Sequence, residues 1–406
     1  MSRNIRLLLP AILLSGLLAL CLPAPASAAI QPPSLADLWA GRALIAPTFE
    51  VVRGVGPGHQ RVSFVAAPDG QLAAYGRARC DDKNVQAAPY CIYRALSADG
   101  LRFDEAGRSV VLALPSETAY DPSVLRLPNG AYLMAYENDG RWIGLAWSAD
   151  GAQWRDLGRA VSSCAGDPGL CEALGGAPGR PTSYGRYSVS TPGLAARCEA
   201  ASCAIFLYFA PRVTLSRADD QAQLGLGLLT FRFELGDEPR PRDLQLHPEL
   251  VLSGGVQGSA WDRLTISAPA VTAGGDGALY MLYEGSPSGF AEIGAPWGIG
   301  LARSTDGARW QKYRGDGLLL AATQPRLARD RPNLERGARS YPGFYTFAGR
   351  SYITMAYRGA DDELRSDYTV RYQLVWRKAA AAARVAAPAL QRAAPSYRLL
   401  LPWVGT

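Results

Sequence analysis

Histidine and lysine are nearly missing: the 406 residues hold two His, His59 and His247, and three Lys, Lys83, Lys312 and Lys378. Neither histidine accompanies a Gly-x-Ser-x-Gly elbow, so serine-hydrolase chemistry has no general base. Zinc lacks a ligand set, because no Cys-x-x-Cys spacing occurs and two histidines cannot replace it. No glycine loop runs into Gly-Lys-Ser or Gly-Lys-Thr, and Gly225-Leu226-Gly227 sits in a strand-like run, which removes a phosphate cradle. The positive charge is almost all Arg and scattered, not gathered into a phosphate-tracking stripe, so nucleic acid is excluded as a partner. Beyond the first 28 residues no stretch is apolar enough to span a membrane.

The first 28 residues have the layout of a secretory signal: Arg3 and Arg6, an apolar run from Leu7 to Leu22, and Ala26-Ser27-Ala28 as a small-residue cleavage site. Removing them takes two Arg and no acid from 42 basic and 36 acidic residues, leaving 40 against 36 and a charge of +4. The expected location is therefore secreted, extracellular or at the cell surface. Cys21 follows Leu18-Ala19-Leu20, which resembles a lipoprotein acylation box but has Leu where a small residue is wanted. The other cysteines are close in pairs, Cys80 with Cys91, Cys164 with Cys171 and Cys198 with Cys203, the pattern of local disulfides in an exported chain.

What the chain does have is a cassette, x-Pro-x-apolar followed by a turn and a Tyr-bearing strand. It occurs at Asp121-Pro122-Ser123-Val124, Thr191-Pro192-Gly193-Leu194, Ala268-Pro269-Ala270-Val271 and Tyr341-Pro342-Gly343-Phe344, with a degraded copy near Gln60-Arg61-Val62-Ser63. The spacing, roughly 60 to 80 residues, exceeds the ~40 to 50 of a compact four-stranded blade and leaves room for loops. In the second copy Asp121 to Leu127 is a strand, Pro128-Asn129-Gly130 a tight turn and Ala131 to Tyr136 the returning strand. Trp142 to Trp147 is a third strand, and Ser148-Ala149-Asp150-Gly151 a turn leading to Trp154 on a fourth. That turn recurs at Ser97-Ala98-Asp99-Gly100 and Ser304-Thr305-Asp306-Gly307, where Ser and Asp bond the turn backbone and Gly supplies positive φ. The expectation is all-β: a five-bladed β-propeller of four-stranded antiparallel blades over 58–377. A segment 29–57 precedes it, helical near Ser34 to Leu44, and an Ala-rich linker 378–395 and a short apolar tail 396–406 follow.

Asp-Pro-Ser-Val, the Asn-Gly-x-Tyr-x-Met-x-Tyr hairpin and Ser-x-Asp-Gly-x-x-Trp together resemble the five-bladed propeller superfamily of glycoside hydrolases, families 43 and 32 and relatives, over about Gly58 to Arg377. Sialidases also carry an Asp-box turn, but theirs separates Asp from Gly by one residue. The resemblance implies a carbohydrate site at the tunnel mouth, where the first strands converge, with acids on the first strands of blades one, two and three. Glycosidic cleavage needs one protonated acid and one carboxylate about 5 to 9.5 Å apart. The ring of equivalent positions reads Gln60 or Arg61, Asp121, Thr191, Ala268 and Tyr341, so only Asp121 is acidic, and Ser190 and Thr191 stand where the third-blade Glu is expected. Asp121 is the leading catalytic candidate, with Glu137, Glu284 and Asp262 able to refill the site. A strand-capping or Arg-holding role for Asp121, and turn or surface roles for the other three, are the plain alternatives.

Sugar binding needs aromatic faces and a few planar polar groups. Candidates are Arg61, Thr191, Trp261, Arg263, Trp297 and Tyr341, with Phe290, Arg180 and Arg186 nearby in sequence; interblade packing and surface pairing are the plain alternatives. No cofactor motif is present, and the acidic loop Asp361-Asp362-Glu363 is a candidate for a structural Ca²⁺ or for simple solvation. The tail Tyr397-Arg-Leu-Leu-Leu-Pro-Trp-Val404 is similar to a short tail on exported proteins of filamentous green bacteria, which implies association with the cell envelope. Two readings stand: a secreted glycosidase, or a noncatalytic propeller that binds glycan or envelope partners.

Overall fold

Apolar residues on both faces of the second strands explain why the blades pack face to face. In the strand Tyr132–Asn138 every residue is buried. Leu133 and Ala135 join a cluster with Ile205, Leu207 and Phe209 of the next blade, while Tyr132, Met134 and Tyr136 join one with Tyr75 and Ile92 of the blade before. Side chains alternate between faces at every step of a strand, so one strand feeds two interfaces. Five such clusters occur among the described residues, one between each pair of neighbouring blades.

The computed structural model describes residues 31–55, 60–80, 90–163, 188–199, 201–214, 221–236, 239–255, 260–287, 297–321, 338–358 and 368–377. Blade 1 is Ser63–Ala66, Leu72–Ala78, Cys91–Ser97 and Ser109–Leu112; blade 2 is Tyr120–Arg126, Tyr132–Asn138, Trp142–Ser148 and Arg155–Ser162. Blade 3 is Ser188–Cys198, Ser202–Thr214, Gly225–Glu234 and Pro241–Leu246. Blade 4 is Thr265–Ala273, Leu279–Ser286 and Gly298–Ser304, with Gln311–Lys312 and Leu318–Leu320 sharing the fourth place. Blade 5 is Ala338–Phe347, Arg350–Arg358 and Tyr368–Trp376, and its outer strand is Ala43–Val52, from near the start of the sequence. The propeller is thus all-β and five-bladed, as expected.

Its boundary differs from the sequence reading, which starts the propeller at residue 58 and extends the helix to Leu44. The helix spans only Leu35–Trp39, begun by a capping box in which Ser34 and Asp37 exchange bonds. Ala43–Val52 then pairs antiparallel with the last strand, with a register shift between Ile45 and Phe49 that accommodates Pro47. Leu35 and Leu38 pack into the cluster between blades 4 and 5.

The Ser-x-Asp-Gly turns behave as structural units. Asp150 Oδ1 accepts from Ser148 Oγ and from the N–H groups of Ala152 and Gln153, and Ser148 Oγ accepts from Gly151 N. These donors hold the Asp99, Asp150 and Asp306 carboxyls below the usual range. Each turn also receives a donor from the preceding blade: Tyr75 Oη on Gly151 O at 2.8 Å, Tyr208 Oη on Gly307 O at 2.8 Å, and Arg371 Nη1 on Gly100 O at 2.5 Å. The disulfides Cys80–Cys91 and Cys198–Cys203 are formed; Cys164 and Cys171 lie outside the described residues.

Blade-to-blade contact along the tunnel is close. A Cβ on Gly193 would run into the carbonyl of Pro269 in the next blade. Gly193→Ala is therefore expected to cost about 1–3 kcal/mol, read as a lower urea midpoint with an unchanged m-value. A neutral result would show that blades 3 and 4 separate freely at this point.

Candidate functional site at the tunnel mouth

Strand register fixes the ring positions. In blades 2 to 5 the pairing of first and second strands slips between the residue before the ring position and the residue two after it. The ring residue itself takes positive φ: 49° at Asp121, 48° at Thr191, 47° at Ala268 and 50° at Tyr341. Such a bulge removes the residue's N–H from the ladder, and a buried N–H must find another acceptor. By the same offset the first-blade ring residue is Arg61, two before Ser63.

Side chains of the preceding blade supply most of those acceptors. Thr191 N donates to Glu137 Oε2 at 2.7 Å, Ala268 N to Thr191 Oγ1 at 3.1 Å and Tyr341 N to Glu284 Oε2 at 2.7 Å. Arg61 N donates in the other direction, to Asp121 Oδ1 at 3.5 Å. Glu137 pairs across the hairpin with Tyr120, and Glu284 with Ser267, so the two glutamates hold one equivalent position in blades 2 and 4. In blades 3 and 5 that position is Ala210 and Ala356, and in blade 1, by the same offset, Arg77.

Arg61 fills the centre. Its Nη2 donates to the carbonyl of Pro269 at 2.5 Å, spanning from blade 1 to blade 4, and its Nη1 has no hydrogen-bond partner among the described residues. Burial lowers the Arg61 pKa to about 10 against the opposing pull of Asp121, Glu284, Tyr341 and Glu137. Asp121 is pushed up by burial, with Arg77 and Arg61 pulling it back. Glu284 is pushed up to about 7 by burial, offset by bonds from the Ser267 hydroxyl at 2.5 Å and Tyr341 N–H, with the Asp121 charge adding to the rise. Tyr341 is raised well above its ordinary value by burial and the three carboxylates. The tunnel therefore holds one electrostatic cluster of Arg61, Arg77, Asp121, Glu137, Glu284 and Tyr341.

Asp262 does not join it. It is 1% exposed, bound to Lys312 Nζ at 2.5 Å, Tyr283 Oη at 3.3 Å and Gly255 N at 3.0 Å. A Cβ on Gly285 would meet Asp262 and Trp261, so these two lie on the Tyr283/Gly285 face of the strand, and Glu284 points to the other. Trp261 stacks on Tyr283 at 5.6 Å and donates Nε1 to Asp316 O. Arg263 reaches Pro287 O at 3.5 Å, and the Trp297 carbonyl accepts from Arg339 N. Arg180, Arg186, Phe290 and the acidic loop at 361–363 lie outside the described residues.

Arg77, Tyr90 and Tyr120 escape the sequence reading. Arg77 has no acid or Pro to mark it; its only signal is its place two residues after Tyr75. Its guanidinium lies 5.3 Å from the Tyr90 ring and 5.8 Å from the Tyr120 ring, which meet edge to face at 6.3 Å.

No protein-family model and no curated protein matches the sequence. Among solved structures, an exo-1,5-alpha-L-arabinanase from a bovine ruminal metagenomic library aligns with TM-score 0.50 and 13% identity, over 79% of this protein and 94% of that one. A second, solved as an RGII complex, aligns with TM-score 0.50 and 11% identity, over 82% and 90%. This protein is a five-bladed β-propeller, the fold it shares with those two structures.

Proposed function

We propose that the protein is a secreted glycoside hydrolase-like propeller that holds a poly- or oligosaccharide at its tunnel mouth and does not cleave it. One observation carries this reading: an arginine, Arg61, stands at the first-blade ring position and reaches across the ring to Pro269. Two-carboxylate hydrolysis needs an acid and a base flanking the scissile bond with room for sugar or water between them. Here Glu137 and Glu284 each spend an oxygen on the backbone N–H of the next blade, and Asp121 faces Arg61. Tyr341, Tyr120 and Tyr90 supply apolar faces for sugar C–H surfaces, and Arg61 and Arg77 supply planar donors.

Hydrolysis is the second reading, favoured by Glu284, whose pKa of about 7 suits a general acid. The mature protein should be incubated with arabinan, suggested by the arabinanase fold neighbour, and with a panel of other plant and bacterial polysaccharides. Retention on an affinity gel without released reducing sugar is the expected result. Released sugar that disappears in Glu284→Gln selects the second reading, and neither retention nor release defeats both.

A further inference from the structure

Between the outer edges of blades 4 and 5 runs an apolar groove of about 610 Å³. Leu44, Ile45 and Pro47 line one side and Leu318 and Leu319 the other. Those four aliphatic side chains are half-buried and Pro47 is exposed, so apolar surface that a further segment could cover remains open to water. The strand Ala43–Val52 is also the last in its sheet, with no strand on its outer side among the described residues. A free strand edge of this kind offers a row of backbone donors and acceptors for another segment to pair with.

We propose that the occupant is the protein's own segment Tyr397–Val404. Arg377, where the described residues end, itself lines the groove. The nineteen residues 378–396 are enough chain to bring the segment back to the surface beside Arg377. Such a tether gives an effective concentration on the order of 1 mM, enough for a modest contact to persist. The segment Tyr-Arg-Leu-Leu-Leu-Pro-Trp-Val carries one charge and six large apolar side chains besides Pro402. Extended, its eight residues reach about 26 Å, the length of a strand laid along the blade edge. Pro402, lacking an N–H, would end the pairing. The tail thereby covers the seam where the N-terminal strand closes the ring.

Hydrogen exchange on the full mature protein and on a form ending at residue 395 tests this. Truncation is expected to speed exchange at least tenfold in Ala43–Val52 and Leu318–Leu320, with the second strands of the blades unchanged. Adding the synthetic peptide Tyr397–Val404 to the truncated protein at ~1 mM should restore the protection. Leu319→Asp in the full-length protein should reproduce the truncation. Equal exchange with and without the tail overturns the proposal. So does protection that scales with protein concentration, which assigns the groove to a second copy, or a tail peptide that binds anionic lipid vesicles and leaves the truncated protein unprotected.

Discussion

Arg61→Ala is expected to destabilise the propeller by about 3–5 kcal/mol, read from urea unfolding at pH 8. The mutation removes the guanidinium that faces Asp121, Glu137 and Glu284 and leaves the Pro269 carbonyl without its donor. Three carboxylates, each 4% exposed or less, then face one another, with Arg77 still opposing Asp121. Taking one partner out of a buried ion cluster costs more than the cluster contributes as a whole, because the remaining charges stay out of water. At pH 5 the loss should be smaller. Glu284, with its pKa of about 7, already carries its proton there, and Asp121, also raised, takes one up more readily once Arg61 is gone. Arg61→Lys should recover part of the stability through charge, but not the reach to Pro269. A loss under ~1 kcal/mol that does not vary with pH would show that the guanidinium does not neutralise the cluster.

The residues that could be read from the sequence are those whose chemistry is local. Asp99, Asp150 and Asp306 each organise a turn within four residues of themselves, so three blades announce their third-to-fourth connection in the sequence. Glu137 and Glu284 are also visible, because each directly follows a Tyr of the second strand, Tyr136 and Tyr283, though their engagement with Thr191 N and Tyr341 N arises only when the next blade arrives. Long-range closure leaves no such mark. Ala43–Val52 pairs with a strand more than three hundred residues away and contains Pro47, which argues locally against a strand. Asp262 misleads for the opposite reason: it lies next to a first strand in sequence, yet its partner Lys312 is fifty residues on and on the other face from Glu284. Arg77 needed the register, since only the pairing of Ser63 with Tyr75 shows that it matches Glu137 and Glu284.

Glu284 should make the protein less stable as the pH rises. Its folded pKa of about 7 stands above the ordinary 4.5 of the unfolded state, so between those values the folded state binds more protons than the unfolded state. Stability from this group is full below pH 4.5, falls through neutrality and is gone above the folded pKa; a gap of 2.5 units corresponds to about 3 kcal/mol. Asp121, also raised, acts with the same sign. The turn aspartates act with the opposite sign, but their lowered pKa values place their titration below 3.8, outside this window. Glu284→Gln keeps an oxygen to accept Tyr341 N–H and removes the charge. Urea unfolding at pH 4.5, 6 and 8 should show the wild type losing stability across the series and the variant losing much less. The two should be about equal at pH 4.5, with the variant ahead at pH 8. If the wild type is flat or gains stability over this range relative to the variant, Glu284 is ionised in the fold, and a role as a protonated group in the tunnel is lost with it.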